Sequence, residues 1–401
     1  MKVRKDVLLV VGLLVTIFLI YSSLSHAKEV RGVTDKSIKV GVILPITGPA
    51  ASLGVPAADA IRAYIRYVNE HGGINGRQLN LIVEDDRYSI PPSIAALKKL
   101  VYRDKVFALL GPGSASQVNV LWKGIQKDKL PTIPVATPEI AVIPLKKYIF
   151  IIIDTYAGQV KALIDYMIKD FNLKEPRVAV VHPDTEAGKI DLAPTLERLK
   201  RYNLTPVTKE ILSPDAVDAS TQVMSFKRYN ANCVLHVGTI TPTTITLVRD
   251  LRKLKLNIPV FASWGAMLGE EMNAIGEAAN QLYSVHATSP WYGKGPGIEE
   301  MRKITLRYHP GTDKPYRGTI YTHGWIMATV LVEGLKRAGK NLDEEALVSA
   351  LESMKNYDTG GLCAPITYSS ESHKGGDSWR IYKADPAAGR FIPMTDWRKP
   401  E

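Results

Sequence analysis

The residues best suited to holding a ligand lie in three short loops, each small, polar and preceded by an apolar run. Pro45-Ile46-Thr47-Gly48-Pro49-Ala50-Ala51-Ser52-Leu53-Gly54 follows the run ending at Leu44. Gly111-Pro112-Gly113-Ser114-Ala115-Ser116 follows residues 106–110, and Ala136-Thr137-Pro138 follows residues 131–135. Each loop leads into a predicted helix, whose first N–H groups lack intrahelical partners and carry the positive end of the helix dipole. Such loops can hold an anion of carboxylate size, with Ser114, Ser116 and Thr137 adding hydroxyl donors. The same residues also serve as ordinary helix caps, so these residues alone leave both readings open.

Other chemistries find less support. Gly111 and Gly113 match part of a dinucleotide fingerprint, but Ser116 stands where the third glycine belongs, and the loop follows the third strand instead of the first. No phosphate-loop lysine is present. The eight histidines are scattered, none in a metalloprotease pattern, and there is no nucleophile elbow. Asp85-Asp86 reads as capping or ion pairing. Cys233, inside an apolar run, and Cys363, in a loop, have no neighbour at metal-ligand spacing and read as two free thiols. The expectation is a binding protein, not an enzyme, with no metal and no cofactor.

These residues need a large scaffold. The chain has 401 residues, 45% hydrophobic and 23% charged, which is too long for one core and too apolar for disorder. Lysine plus arginine number 51 against 40 acids, but they are spread along the chain and do not form a nucleic-acid tail. The N-terminus reads as a cleavable export signal over residues 1–27. Lys2, Arg4 and Lys5 precede an apolar stretch at 7–20, short for a membrane span, and Ser25-His26-Ala27 offers a cleavage site.

Beyond it, strands and helices alternate. Strands are expected at 38–44, around Leu79, Leu81 and Val83, at 106–110 and at 131–135. Helices are expected at 57–68, at 116–126, and from Pro91-Pro92-Ser93 to Tyr102. The pattern restarts after Pro176, with strands at 177–181, 205–211, 233–237, 259–261 and 282–286 separated by helices at 189–202, 219–229 and 242–253. Helices at 321–338 and 342–354 and strand-like pieces near Ile366, Tyr382 and Phe391 complete the chain. Strands joined through helices of this length imply right-handed crossovers and parallel sheets, here in two doubly wound lobes.

Several stretches resemble the type I periplasmic solute-binding proteins of the leucine/isoleucine/valine-binding family. They are Ile38-Lys39-Val40-Gly41-Val42-Ile43-Leu44-Pro45-Ile46-Thr47-Gly48-Pro49, Asn69-Glu70-His71-Gly72-Gly73-Ile74-Asn75-Gly76-Arg77, Leu110-Gly111-Pro112, Asp358-Thr359-Gly360-Gly361-Leu362 and Thr395-Asp396-Trp397. Their order and spacing carry the resemblance over residues 35–398. It implies two α/β lobes joined by three hinge crossovers, one of residues 28–154 plus 287–365 and the other of 155–286 plus 366–401. It also implies a monomer in the periplasm that closes on a small-molecule solute and delivers it to the membrane permease of an ABC transporter. A periplasmic ligand sensor with the same fold is the alternative.

The site residues that the resemblance implies are altered here. The serine pair that holds a ligand carboxylate becomes Ser114-Ala115-Ser116, while Ala136-Thr137 is retained. An aromatic is replaced by Leu53, and a tyrosine by Ala187. The acid that holds an ammonium in amino-acid binders falls near Gly265 and is missing, with Asp154 or Asp184 as candidate substitutes and Glu270 and Glu271 too far along. The ligand expected from these changes keeps a carboxylate or another hydrogen-bond acceptor but is not a standard branched-chain amino acid, since a buried ammonium without a counter-ion costs several kcal/mol. Tyr156, Trp264 and Trp291 are expected as aromatic walls, and Gly238 as a further contact.

Overall fold

The computed structural model describes residues 29–267, 274–309 and 317–401. The predicted signal segment and Glu270 and Glu271 lie outside the described residues.

The first sheet is built from four parallel strands in the order β2-β1-β3-β4: β1 (Ser37–Leu44), β2 (Gln78–Asp85), β3 (Ala108–Leu110) and β4 (Thr132–Ile133). β1 is buried at almost every position because helices cover both faces, so its sequence reads as a continuous apolar run. β4 is shorter than expected, since Pro131 and Pro134 have no N–H to extend the ladder. Its crossovers are α1 (Ala51–Glu70), α2 (Ile90–Lys98), which continues through a π-turn at Lys99–Arg103, and α3 (Ala115–Lys127).

The second sheet has seven strands. β5 (Val178–His182), β6 (Thr208–Ile211), β7 (Cys233–His236), β8 (Val260–Ala262) and β9 (Leu282–His286) run parallel. β10 (Arg380–Asp385) joins β9 antiparallel, and β11 (Arg390–Pro393) forms a hairpin with β10. Around the sheet lie α4 (Tyr156–Asp165), α5 (Glu186–Arg201), α6 (Ser220–Arg228) and α7 (Thr241–Lys253). Three helices, α8 (Pro296–Tyr308), α9 (Thr319–Ala338) and α10 (Glu344–Glu352), return to the first sheet. α9 is buried on most sides and crosses α1 closely, since a Cβ on Gly324 would stand 2.5 Å from the Ala57 carbonyl.

The chain passes between the two sheets three times. Ile149 pairs beside Thr132 and Ile151 beside Lys374, before α4 begins. After β9, Thr288 pairs with Cys363, and Ser289 donates its N–H to Leu362. The third passage returns through Gly375, whose N–H bonds Ile151, to β10. Asp154 stitches the passages together, accepting from Thr155 N–H at 2.7 Å and pairing with Lys374 at 2.9 Å. The expected strand at Ile366 is a single bridge to Tyr357 inside this crossing region. Helices α4 and α8, for which the sequence offered no expectation, start at Tyr156, just past the β-branched run at 151–153, and at Pro296, behind the cap residue Gly295. Cys233 and Cys363 are both buried and free, and burial pushes each thiol up to about 12.

Candidate functional site

A cleft opens where loops from both sheets meet. From the first sheet come Leu53, Gly113 and Tyr88; from the second come Tyr156 and Gln159 of α4, Ala187 and Asp191 of α5, Gly238-Thr239-Ile240 after β7, and Trp264-Gly265 after β8. The enclosed volume is about 50 Å³, room for only a few waters at ~10–15 Å³ each. The cleft is therefore nearly shut.

Local backbone chemistry brings these groups together. Asp85 closes the loop after β1 by accepting N–H bonds from Ile46 at 2.9 Å and Thr47 at 3.2 Å. Arg87 and Tyr88 both adopt positive φ, 52° and 58°, a costly backbone for bulky residues that turns Tyr88 toward the cleft. Asp86 is fully buried beneath it and accepts the Tyr88 N–H at 2.8 Å. Burial raises Asp86 to about 6. Gly238 has φ +59°, and a Cβ there would meet the Gly188 Cα at 2.3 Å, so only glycine lets the two backbones pack to form the cleft floor.

Asp191 is the charged group of the cleft, and its exposure is 1%. Its Oδ2 accepts the Gly238 N–H at 2.8 Å and the Gln159 amide at 3.2 Å. Gln159 in turn accepts the Trp264 N–H at 3.1 Å, tying α4, α5 and the β8 loop together. Asp191 Oδ1 has no hydrogen-bond partner among the described residues. Burial drives this carboxyl well above its ordinary value, the nearby Glu139 charge adds to the rise, and the two hydrogen bonds oppose it. Among the described residues, no lysine, arginine or histidine lines the cleft to compensate. Gly113 just before α3, Ala187 in the first turn of α5 and Ile240 at the start of α7 line the same space, which brings these helix N-termini near it.

Behind Trp264 lies an imidazole pair. Its ring is edge-on to His286 at 6.0 Å and parallel to His323 at 6.3 Å between centroids. His286 Nδ1 faces Thr288, His323 lies against the Val135 backbone, and His286 Nε2 lacks a partner among the described residues. Burial lowers these groups to about 3 and about 4 respectively, keeping both neutral.

The residues expected from sequence divide into two groups. Leu53, Tyr156, Ala187, Gly238 and Trp264 are brought together around the cleft. Ser114, Ala115, Ser116, Ala136 and Thr137 sit beside it without lining it. Ser114 is engaged in a capping box, its Oγ accepting the Gln117 N–H at 3.2 Å and its own N–H donating to Gln117 at 3.0 Å. Ala115 and Ala136 are buried and Ser116 is half-buried. Thr137 donates its hydroxyl to the Asp154 carbonyl at 3.0 Å. Trp291 stands apart, 6% exposed and packed edge-on against Tyr321 in the layer over the first sheet. Neither substitute acid reaches the cleft. Asp154 is spent on the crossing strands, and Asp184 pairs with Lys189 at the surface. The acid that does line it, Asp191, was missed, although it falls one helical turn beyond Ala187 on the same face of α5.

The profile of the periplasmic binding protein family matches residues 37–390. Leu/Ile/Val-binding protein homolog 3 of Brucella melitensis is 25% identical over 353 residues, covering 87% of this chain and 91% of that protein. Leu/Ile/Val-binding protein BraC3 of Rhizobium johnstonii is 25% identical over 382 residues, covering 93% and 96%. Two solved structures share the fold. A branched-chain amino acid ABC transporter protein from Thermus thermophilus with bound valine has a TM-score of 0.83 at 21% identity, covering 92% of this chain and 97% of that one. A fatty acid ABC transporter substrate-binding protein from Thermomonospora curvata has a TM-score of 0.81 at 22% identity, covering 93% and 95%.

Proposed function

The chain belongs to the periplasmic binding protein family, and from that premise we propose that it is the solute-binding component of an ABC importer. It works in the periplasm as a monomer and hands its solute to a membrane permease. Residues 28–154 with 287–365 form one lobe, and 155–286 with 366–401 the other. The three passages around Asp154, Thr288 and Gly375 act as the hinge. A ligand that touches both lobes stabilises the closed arrangement because only there are both sets of contacts made.

The ligand is small and bears a carboxylate, which the converging helix N-termini favour. One observation narrows it: Asp191, buried in the cleft with, among the described residues, one oxygen unpartnered and no cationic side chain in the cleft lining. A carboxyl so placed calls for an ammonium or another strong donor on the ligand. The acid missing at Gly265 is thus replaced from a different element, which removes the argument against an α-amino group and favours amino-acid-like ligands over plain aromatic or aliphatic acids. Tyr88, Tyr156 and Trp264 supply aromatic faces for the cationic end.

Thermal shift with paired ligands tests this reading. L-leucine, L-valine and L-phenylalanine are compared with 4-methylvalerate, 3-methylbutyrate and 3-phenylpropionate, with octanoate as a plain fatty acid. At a hundredfold excess over Kd a bound ligand adds about 2.7 kcal/mol of stability. Stabilisation by at least one amino acid, with little from its deaminated partner, is expected. Equal stabilisation by the deaminated acids, or stabilisation by octanoate alone, refutes the role given to Asp191.

A further inference from the structure

A second cavity lies away from the cleft, where the loop 289–294 after β9 meets the β10–β11 hairpin. Its volume is about 380 Å³, several times that of the cleft in its shut state. Lys294, Arg380 and Arg390 line it, and among the described residues its lining includes no acid. The acid within ion-pair range of Arg380, Asp396, stands 4.0 Å away and is fully exposed to solvent, so it neutralises little. Beneath the cavity Tyr382, a residue 1% exposed, turns its hydroxyl to Arg380 and Ser289.

The geometry suits an anion better than it suits a solvated surface. The guanidinium of Arg380 lies on the Trp397 ring, 4.4 Å from its centroid, which fixes its plane and leaves its donor edge for planar, paired hydrogen bonding. Arg390 sits over Tyr292, whose hydroxyl is held by the Phe391 N–H at 2.7 Å. Pro290, Phe391 and Pro393 complete an apolar wall. A bare ion would leave that wall and much of the volume unused.

We propose that this cavity is a second ligand site, independent of the solute cleft, which takes a phosphate ester. Arg380, Arg390 and Lys294 hold the phosphoryl oxygens, and the apolar wall receives the ester's organic part. The ester is either soluble or a phospholipid headgroup, and these sources share the same recognition chemistry.

Calorimetric titration with glycerol 3-phosphate, and flotation with phosphatidylglycerol against phosphatidylcholine vesicles, separate the two. The variants are Arg390→Gln and Lys294→Gln, each of which removes one exposed charge from the cavity. Lys200→Gln deletes the same charge on α5 as a control, and Asp191→Asn alters the cleft alone. Binding of glycerol 3-phosphate that falls about tenfold in Arg390→Gln and severalfold in Lys294→Gln, but not in the two controls, supports a soluble ester. Flotation with phosphatidylglycerol that is lost in Arg390→Gln and kept in Lys200→Gln supports a lipid headgroup. No binding in either assay, or binding that Lys200→Gln reduces as much as Arg390→Gln, overturns the proposal.

Discussion

Replacing Asp191 with asparagine should stabilise the empty protein and cripple ligand capture together. In the native chain the carboxyl is buried and held well above its ordinary value of 3.8. The unfolded chain releases that proton above pH 3.8, whereas the native chain keeps it, so stability falls as pH rises from about 4 toward the native value. Each pH unit over which the native carboxyl stays protonated while the unfolded one is ionised costs about 1.36 kcal/mol, and water entry as the cleft opens reduces that cost. Asparagine can accept the Gly238 N–H at the same position without ever ionising. Asp191→Asn should therefore gain a few degrees in Tm at pH 7 and nothing at pH 4. Toward an ammonium-bearing ligand it should lose about 3–5 kcal/mol, two to nearly four orders of magnitude in Kd, because the ammonium would be buried unpaired. Differential scanning calorimetry from pH 4 to 7 and isothermal titration with the best ligand of the paired panel read both effects. A variant that binds within threefold of wild type, or that is less stable at pH 7, refutes the reasoning.

Three further outcomes follow from other residues. His236, His286 and His323 are held neutral by burial at about 3, 3 and 4. The unfolded chain binds their protons from about pH 6.5 downward, so stability should drop by up to about 1.4 kcal/mol per pH unit for each histidine below that point; His323→Gln should flatten this acid limb of a Tm-versus-pH curve. The buried Arg198–Asp165 pair joins α5 to α4 through bonds of 2.6 and 2.5 Å. Arg198→Ala leaves Asp165 without its partner and should cost about 3–5 kcal/mol in urea unfolding, whereas replacing the pair by Met and Leu should cost far less. Gly238→Ala places a Cβ against the Gly188 backbone at positive φ and should cost about 2–4 kcal/mol with weakened ligand binding, read by the same two methods.

Much of the scaffold was legible because its physics is local. β1, β5 and β7 are buried on both faces, and so are apolar at nearly every position. Glycine and proline mark the loops between them. What could not be read is what depends on closing the chain in space. Ser114 and Thr137 have the composition of ligand donors, but Ser114 caps α3 and Thr137 bonds a backbone carbonyl across the first passage between sheets. Trp291 resembles Trp264 in type, yet only tertiary packing sends one to the layer over the first sheet and the other to the cleft. Asp191 was hidden by its neighbours. A single acid in a charged, surface-like helix sequence carries no mark of being 1% exposed, and only its one-turn spacing from Ala187 could have pointed to it.

Native mass spectrometry of the protein as purified tests the central claim most directly. A cleft that closes on a solute should retain it, giving a fraction of the protein an added mass that matches a small amphoteric molecule and disappears on denaturation. The same preparation of Asp191→Asn should lack it. A wild-type spectrum showing only the bare chain, still unchanged after incubation with every member of the amino acid panel, would contradict the account.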